Sequence, residues 1–176
     1  MSLDHAVDKR FNVLILCTGN SARSIMAEAI FNSLPDQKFQ AYSAGSDSTG
    51  VINPYVIELV QSIGYPTENL RSKSWDEFSQ ANAPHMDFIF TVCDKAAGQT
   101  CPVWPGQPIS AHWGLEDPAR FEGNPDETRK YFLKTFHQLR NRIQIFAALP
   151  LHTLERTSLQ QELNQIGQLT LSPEYD

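Results

Sequence analysis

Seven residues, Phe11-Asn12-Val13-Leu14-Ile15-Leu16-Cys17, form an apolar run rich in β-formers, and the chain changes character abruptly at its end. Thr18-Gly19-Asn20-Ser21 is loop chemistry, after which Ile25, Met26, Ala29, Ile30 and Leu34 recur at helical spacing until Pro35. A buried strand that feeds a helix through so short a loop sets up an alternation, and the rest of the chain keeps to it. A strand over 38–44 ends at Gly45. Asn53-Pro54 opens a helix, with Asn as cap and Pro in the first turn; Val56, Leu59, Val60 and Ile63 give it an apolar face, and Gly64 ends it. A short helix runs from Ser74 through Phe78, a buried strand covers 87–93, and a fourth strand covers 109–113. Asn124-Pro125-Asp126-Glu127 starts a helix to Leu149, with Glu three residues after the Asn cap and acids in the first turn. Strands alternating with helices predict a small doubly wound α/β fold. Its four-stranded parallel sheet takes the order 2-1-3-4, given right-handed crossovers, and carries helices on both faces. The expected division is one domain over 1–150 and a C-terminal extension over 151–176, where Leu154, Leu159, Leu163 and Ile166 make one more amphipathic helix before Gly167.

Composition narrows the function. Fourteen Lys and Arg against twenty Asp and Glu leave a net charge of −6, which is no electrostatic footprint for nucleic acid. No apolar run approaches the roughly 20 residues of a membrane span, and Met1 to Arg10 has no apolar signal core, so a cytoplasmic protein is expected. The three cysteines, Cys17, Cys93 and Cys101, form no Cys-x-x-Cys pair, and the five histidines are scattered. That spacing predicts no metal site and no cofactor. In a reducing compartment such cysteines are either buried and inert or catalytic.

Cys17-Thr18-Gly19-Asn20-Ser21-Ala22-Arg23-Ser24 is the segment that carries chemistry. A thiol at a strand end is followed six positions later by an Arg at a helix start. The small polar residues between them can curl so that successive N–H groups point inward, an anion nest at a helix N-terminus. Gly19 permits the curvature and Asn20 tolerates left-handed dihedrals. Arg23 adds a planar fork suited to a tetrahedral oxyanion, and the same field is expected to hold Cys17 as a thiolate. Thr18, Gly19, Asn20, Ser21, Ala22 and Ser24 are the oxyanion-binding candidates, and Ser24 is placed to donate to the sulfur. The bland counterpart is a buried Cys17, a Ser24 helix cap and a surface Arg23. No Gly-Lys-Ser/Thr closes the loop, so it is not a nucleotide P-loop. In the strand order above, Cys17 and Cys93 end adjacent strands at one sheet edge. There a disulfide, which needs Cα atoms within roughly 7 Å, is reachable. Cys101 lies eight residues beyond Cys93 and meets it only if the intervening loop folds back.

The loop resembles the Cys-x5-Arg-Ser loop of the low-molecular-weight protein tyrosine phosphatase superfamily. With Met26-Ala27-Glu28, Tyr42-Ser43-Ala44-Gly45, Val92-Cys93-Asp94, Cys101-Pro102 and His112-Trp113-Gly114-Leu115-Glu116-Asp117-Pro118, the chain is more closely similar to the arsenate reductases built on that fold. The resemblance covers roughly 11–150. It implies that Asp117 is the general acid, with Glu116 as rival and a turn-capping role as the plain alternative. It also implies a thiol relay, in which Cys17 attacks arsenate, Cys93 resolves the adduct as a Cys17–Cys93 disulfide, and Cys101 moves the oxidation to Cys93–Cys101. Thioredoxin is the expected reductant, with glutaredoxin or small thiols as the alternative. Phosphate and sulfate are expected to mimic the arsenate. Position 22 is Ala where several such reductases carry another Cys, and the Cys93–Cys101 spacing is one residue longer than in the best-known thioredoxin-coupled members. Some of those members bind potassium near the loop. Asn20, Glu28 and Ser43 match such a site, but an acidic residue near Ser74 is missing, so no potassium site is expected. A tyrosine phosphatase would use the same Cys17, Arg23 and Asp117, yet it usually carries an aromatic residue directly after the Asp-Pro, where this chain has Ala119.

Overall fold

The computed structural model describes residues 10–93, 104 and 106–169. Cys101 therefore lies outside the described residues. The apolar runs form four parallel strands, β1 (Phe11–Cys17), β2 (Phe39–Gly45), β3 (Phe88–Thr91) and β4 (Ile109–His112), in the order β2-β1-β3-β4. The order is the one expected from the alternation. Between and after the strands come helices α1 (Arg23–Asn32), α2 (Pro54–Ser62), α3 (Pro125–Ala147) and α4 (Arg156–Gly167), with 3-10 turns at Trp75–Phe78 and Pro118–Arg120.

The pleat sorts β1 between two cores. Phe11, Val13, Ile15 and Cys17 face the larger core, which receives the apolar sides of all four α-helices. Leu14 and Leu16 face a smaller one, covered by Phe78 of the first 3-10 turn with Met86 and Ile89. In the larger core Phe146 of α3 meets Phe31, Phe88, Phe90 and Trp113 edge to face, with ring centroids 5.0–6.0 Å apart. Helix α1 is buried along every residue from Ser24 to Phe31, because the sheet lies on one side and α2 and α3 on the others. Its sequence pattern is accordingly broader than one amphipathic stripe.

The caps follow the sequence signals. Asn53 accepts from the Tyr55 N–H at 2.9 Å, and Asn124 accepts from the Glu127 N–H at 2.8 Å while its side-chain amide, in place of the main-chain N–H of a capping box, donates to the Glu127 carboxylate at 2.6 Å. Helix α4 lies along the edge strand β4. The Trp113 indole N–H donates to the Leu163 carbonyl at 2.9 Å, and Gln160 donates to Ser110 at 2.8 Å. The sheet edge is thereby covered, as an unpaired edge requires. Among the described residues no helix is long and apolar enough to cross a membrane.

Candidate active site

The loop after β1 is shaped by what takes its carbonyls. Cys17 and Thr18 accept from the N–H groups of Ser46 and Asp47 at 3.1 and 2.9 Å, and Gly19 and Ser21 from those of Thr49 and Asn53 at 3.0 Å each. In a trans peptide the carbonyl and the following N–H point opposite ways. Turning these carbonyls outward therefore turns the next amides inward. The Asn20 N–H shows the result, donating to the Cys17 sulfur at 3.1 Å. Asn20 makes the bend with φ +49, a left-handed conformation that asparagine tolerates. At its end the loop runs into α1, whose cap position is Ala22 and carries no side-chain cap, so the first helical N–H groups remain for an anion.

This loop floors a cleft of about 720 Å3. Thr18, Gly19, Ser21, Ala22 and Arg23 line it with Cys17; Cys93, Leu115, Glu116 and Asp117 form the facing wall. The structure thus brings Cys17, Cys93, Arg23 and Asp117 to one cavity. The Thr18 hydroxyl lies 3.2 Å from the Cys93 sulfur. The side chains of two oxyanion-binding candidates lie elsewhere. Asn20 and Ser24 are wholly buried beneath the loop. Their side chains face inward because Asn20 donates to Ser24 at 2.8 Å and to Ser43 at 3.0 Å, while the Ser24 hydroxyl lies 2.9 Å from Cys17.

Arg23 lines the cleft as the fork expected for an oxyanion; its Nη1 donates to the Leu115 carbonyl at 2.7 Å, and Nη2 lies 3.6 Å from the Asp117 carboxylate. Arg23 therefore ties the loop after β4 to the loop after β1. One further expectation needs correction. Cys17 was expected to be held as a thiolate. Burial pushes its thiol above the ordinary value; the Ser24 hydroxyl and then the Asn20 N–H pull it back, Cys93 adds to the rise, and Arg23 lowers it least. The cause is the location, since Cys17 is only 3% exposed.

Ser24 is the strongest single opponent of that rise. A hydrogen bond to an ionised group contributes about 1.5–3 kcal/mol, so Ser24→Ala is expected to raise the thiol further and to slow Cys17 alkylation at neutral pH by about 10- to 100-fold. Iodoacetamide rates against pH, read on the Cys17 peptide, check this. An unchanged profile would show that the hydroxyl does not support the sulfur.

Asp117 and Glu116 are distinguished by their partners. Asp117 accepts from the Ala119 N–H at 3.0 Å through Oδ1, capping the turn, and turns Oδ2 toward Arg23. Glu116 accepts the Tyr131 phenol proton, and that hydrogen bond, more than burial, raises the phenol's pKa. The plain capping role and the placement in the cleft thus coexist at Asp117.

Sequence reasoning missed two features. Phe121 and Tyr131 stack at 4.7 Å and both line the cleft, so an aromatic wall exists even though Ala119 follows the Asp-Pro. The missed signal was Phe121, four residues past Asp117. The second is Lys73, whose ammonium lies 3.7 Å from Glu28, with both side chains about nine-tenths buried. Glu28 accepts from Ser43 at 2.7 Å, and Asn20 donates to Ser43, so Asn20, Ser43 and Glu28 do converge. An ammonium already supplies the positive charge beside that carboxylate. A potassium ion does not fit these residues.

A catalytic-type cysteine on an anion loop at the edge of a 2-1-3-4 sheet defines a class, and the comparisons name it. The family model for low molecular weight phosphotyrosine protein phosphatase matches residues 12–163, and the chain belongs to that family. Within it, the chain is 34% identical to the arsenate reductase of Bacillus subtilis over 135 residues, 77% of this chain and 94% of that protein. Two solved structures agree. The arsenate reductase of Archaeoglobus fulgidus aligns with a TM-score of 0.55 at 27% identity, covering 75% of this chain and 98% of that one. An arsenate reductase in a phosphate-binding state aligns with a TM-score of 0.61 at 26% identity, covering 78% and 97%.

Proposed function

We propose that this protein reduces arsenate to arsenite by a relay of its three cysteines. The observation that carries the reading is the opening of Cys17 and Cys93 into one cleft, over a loop whose amides point inward. The tetrahedral dianion enters the nest and takes the Cys17 proton with one of its own oxygens, which answers the raised thiol. The thiolate attacks arsenic, forming an S–As bond, while Asp117 protonates the departing hydroxyl and water leaves. The Cys93 thiolate then attacks the Cys17 sulfur. A disulfide forms, the S–As electron pair passes to arsenic, and arsenic leaves as arsenite in the lower oxidation state. Cys101 displaces Cys17 from Cys93, and an external dithiol reduces the resulting Cys93–Cys101 disulfide. Thioredoxin is the proposed dithiol. A reducing compartment, the cytoplasm, is the proposed location, since the relay needs its thiols restored in each cycle.

The test is arsenite formation with thioredoxin, its reductase and NADPH, followed by mass-spectrometric mapping of disulfides. Cys101→Ser is expected to release about one equivalent of arsenite and then stall with Cys17 joined to Cys93, while hydrolysis of an aryl phosphate by Cys93→Ser and Cys101→Ser stays at the wild-type level. Multiple turnover by Cys101→Ser with thioredoxin would overturn the relay and point to glutathione or a similar thiol with glutaredoxin. Aryl phosphate hydrolysis without any arsenite formation would make the protein a phosphatase.

A further inference from the structure

Beneath the loop runs a chain of hydrogen bonds whose directions are fixed at Glu28 and at the Asn20 amide. Glu28 as a carboxylate can only accept, so the single hydroxyl proton of Ser43 goes to it, at 2.7 Å. Ser43 is then left with lone pairs only, and accepts from the Asn20 amide at 3.0 Å. The orientation of that amide is set on its other side, where Oδ1 accepts the Lys73 main-chain N–H at 2.8 Å. Its second N–H goes to Ser24 at 2.8 Å. Ser24, having accepted, has its own proton left for the Cys17 sulfur at 2.9 Å. The links diverge at the Asn20 amide: one N–H leads through Ser43 to Glu28, the other through Ser24 to the sulfur.

Lys73 touches this chain twice, at its middle and at its carboxylate end. Its N–H orients Asn20, and its ammonium lies 3.7 Å from Glu28 Oε1. The segment around it is clipped to the loop. Ser72 donates to the Gly19 carbonyl at 3.1 Å, the Lys73 carbonyl accepts from Gly45 at 2.9 Å, and Ser74 makes a parallel bridge to Gly45. Glu28 also feels the Arg71 guanidinium and the Tyr42 and Tyr65 phenols, but neither the guanidinium nor a phenol is joined to it by a hydrogen bond.

We propose that Lys73 is a positioning residue for the nucleophile: its ammonium keeps Glu28 an acceptor, which keeps Ser43 the acceptor of the Asn20 amide that holds Ser24 beneath Cys17. Without the ammonium, Glu28 sits uncompensated in the interior and takes up a proton. It then donates to Ser43, whose own proton turns toward the Asn20 N–H, so that bond is lost and the amide holds Ser24, and through it the sulfur, less firmly.

The proposal rests on Cys17 as the nucleophile but not on arsenate as the substrate, so it is tested on the thiol itself. Cys17 alkylation by iodoacetamide is followed against pH on the full chain, read on the Cys17 peptide, beside thermal unfolding. Lys73→Met is expected to slow alkylation at neutral pH about tenfold and move its midpoint up by about one pH unit, and Lys73→Arg to keep the wild-type midpoint. In Glu28→Gln/Lys73→Met the buried charges vanish together, so the melting temperature returns toward wild type. Glutamine can donate as well as accept, so the alkylation midpoint stays raised. A wild-type midpoint in folded Lys73→Met overturns the proposal. So does recovery of both stability and midpoint in the double variant, which also decides the matter should Lys73→Met not fold. Arsenite formation tests the substrate separately, so loss of that activity with the alkylation pattern above would leave the Lys73 role standing.

Discussion

Cys17→Ser is expected to reduce arsenite formation by about four orders of magnitude or more, to the level of the uncatalysed reaction, as removal of a covalent nucleophile does. Two losses coincide at this atom. A serine hydroxyl is far harder to ionise than a thiol, and here it would sit 3% exposed in a place that already opposes charge. An oxygen also cannot form the disulfide whose formation, in the proposed relay, delivers two electrons to arsenic. Binding is expected to survive. The carbonyls that shape the nest belong to the main chain and bond to Ser46, Asp47, Thr49 and Asn53, none of which the substitution touches. Phosphate titrated by calorimetry should therefore bind Cys17→Ser within a fewfold of wild type, while single-turnover arsenite formation vanishes. Arsenite formation at even a hundredth of the wild-type rate would remove Cys17 from the chemistry.

The sequence states local and periodic facts well. The order of the sheet follows from strand–helix alternation and a single crossover hand, and the starts of α2 and α3 follow from Asn-Pro pairs whose capping bonds are present. Cys17, Cys93 and Asp117 reach one cleft because each stands at or just past the carboxyl end of a strand, a position that topology alone assigns. Direction is another matter. The bonds of Arg23 to Leu115 and its approach to Asp117 bridge residues more than 90 positions apart, and no spacing encodes them. Lys73 belongs to a segment with no period, and its burial depends on Glu28 arriving from α1. The ionisation of Cys17 is a balance of burial and Cys93 against two donors and the Arg23 charge, and a motif names these groups without stating how deep the sulfur lies. Lysine in an irregular stretch normally reads as a solvated charge. Only its partner shows otherwise.

Gly45→Ala is expected to lower kcat/KM for arsenate by about 100-fold or more, with the fold retained, because the loop has no slack where β2 ends. The sequence marks Gly45 only as a strand end. In the structure it pairs across from Cys17, and a Cβ built there would lie 2.3 Å from the Thr18 carbonyl oxygen and 3.0 Å from both the Thr18 carbonyl carbon and the Asn20 nitrogen. All three are main-chain atoms, so no rotamer can relieve the contact. The strand cannot retreat either, since Gly45 donates to the Lys73 carbonyl at 2.9 Å and its neighbour Ser46 donates to Cys17. The loop must therefore move, by an amount on the order of an ångström. That displaces the amide that donates to the sulfur and those turned toward the anion. Overpacking of this kind costs about 1–3 kcal/mol of stability. The expected signature is thus a moderate drop in melting temperature with a disproportionate loss of activity and of phosphate affinity. Kinetics, calorimetry and circular dichroism on the same preparation separate the two. Equal, small losses in all three would show that the loop is free to shift, and that its inward amides are not held as tightly as the chemistry requires.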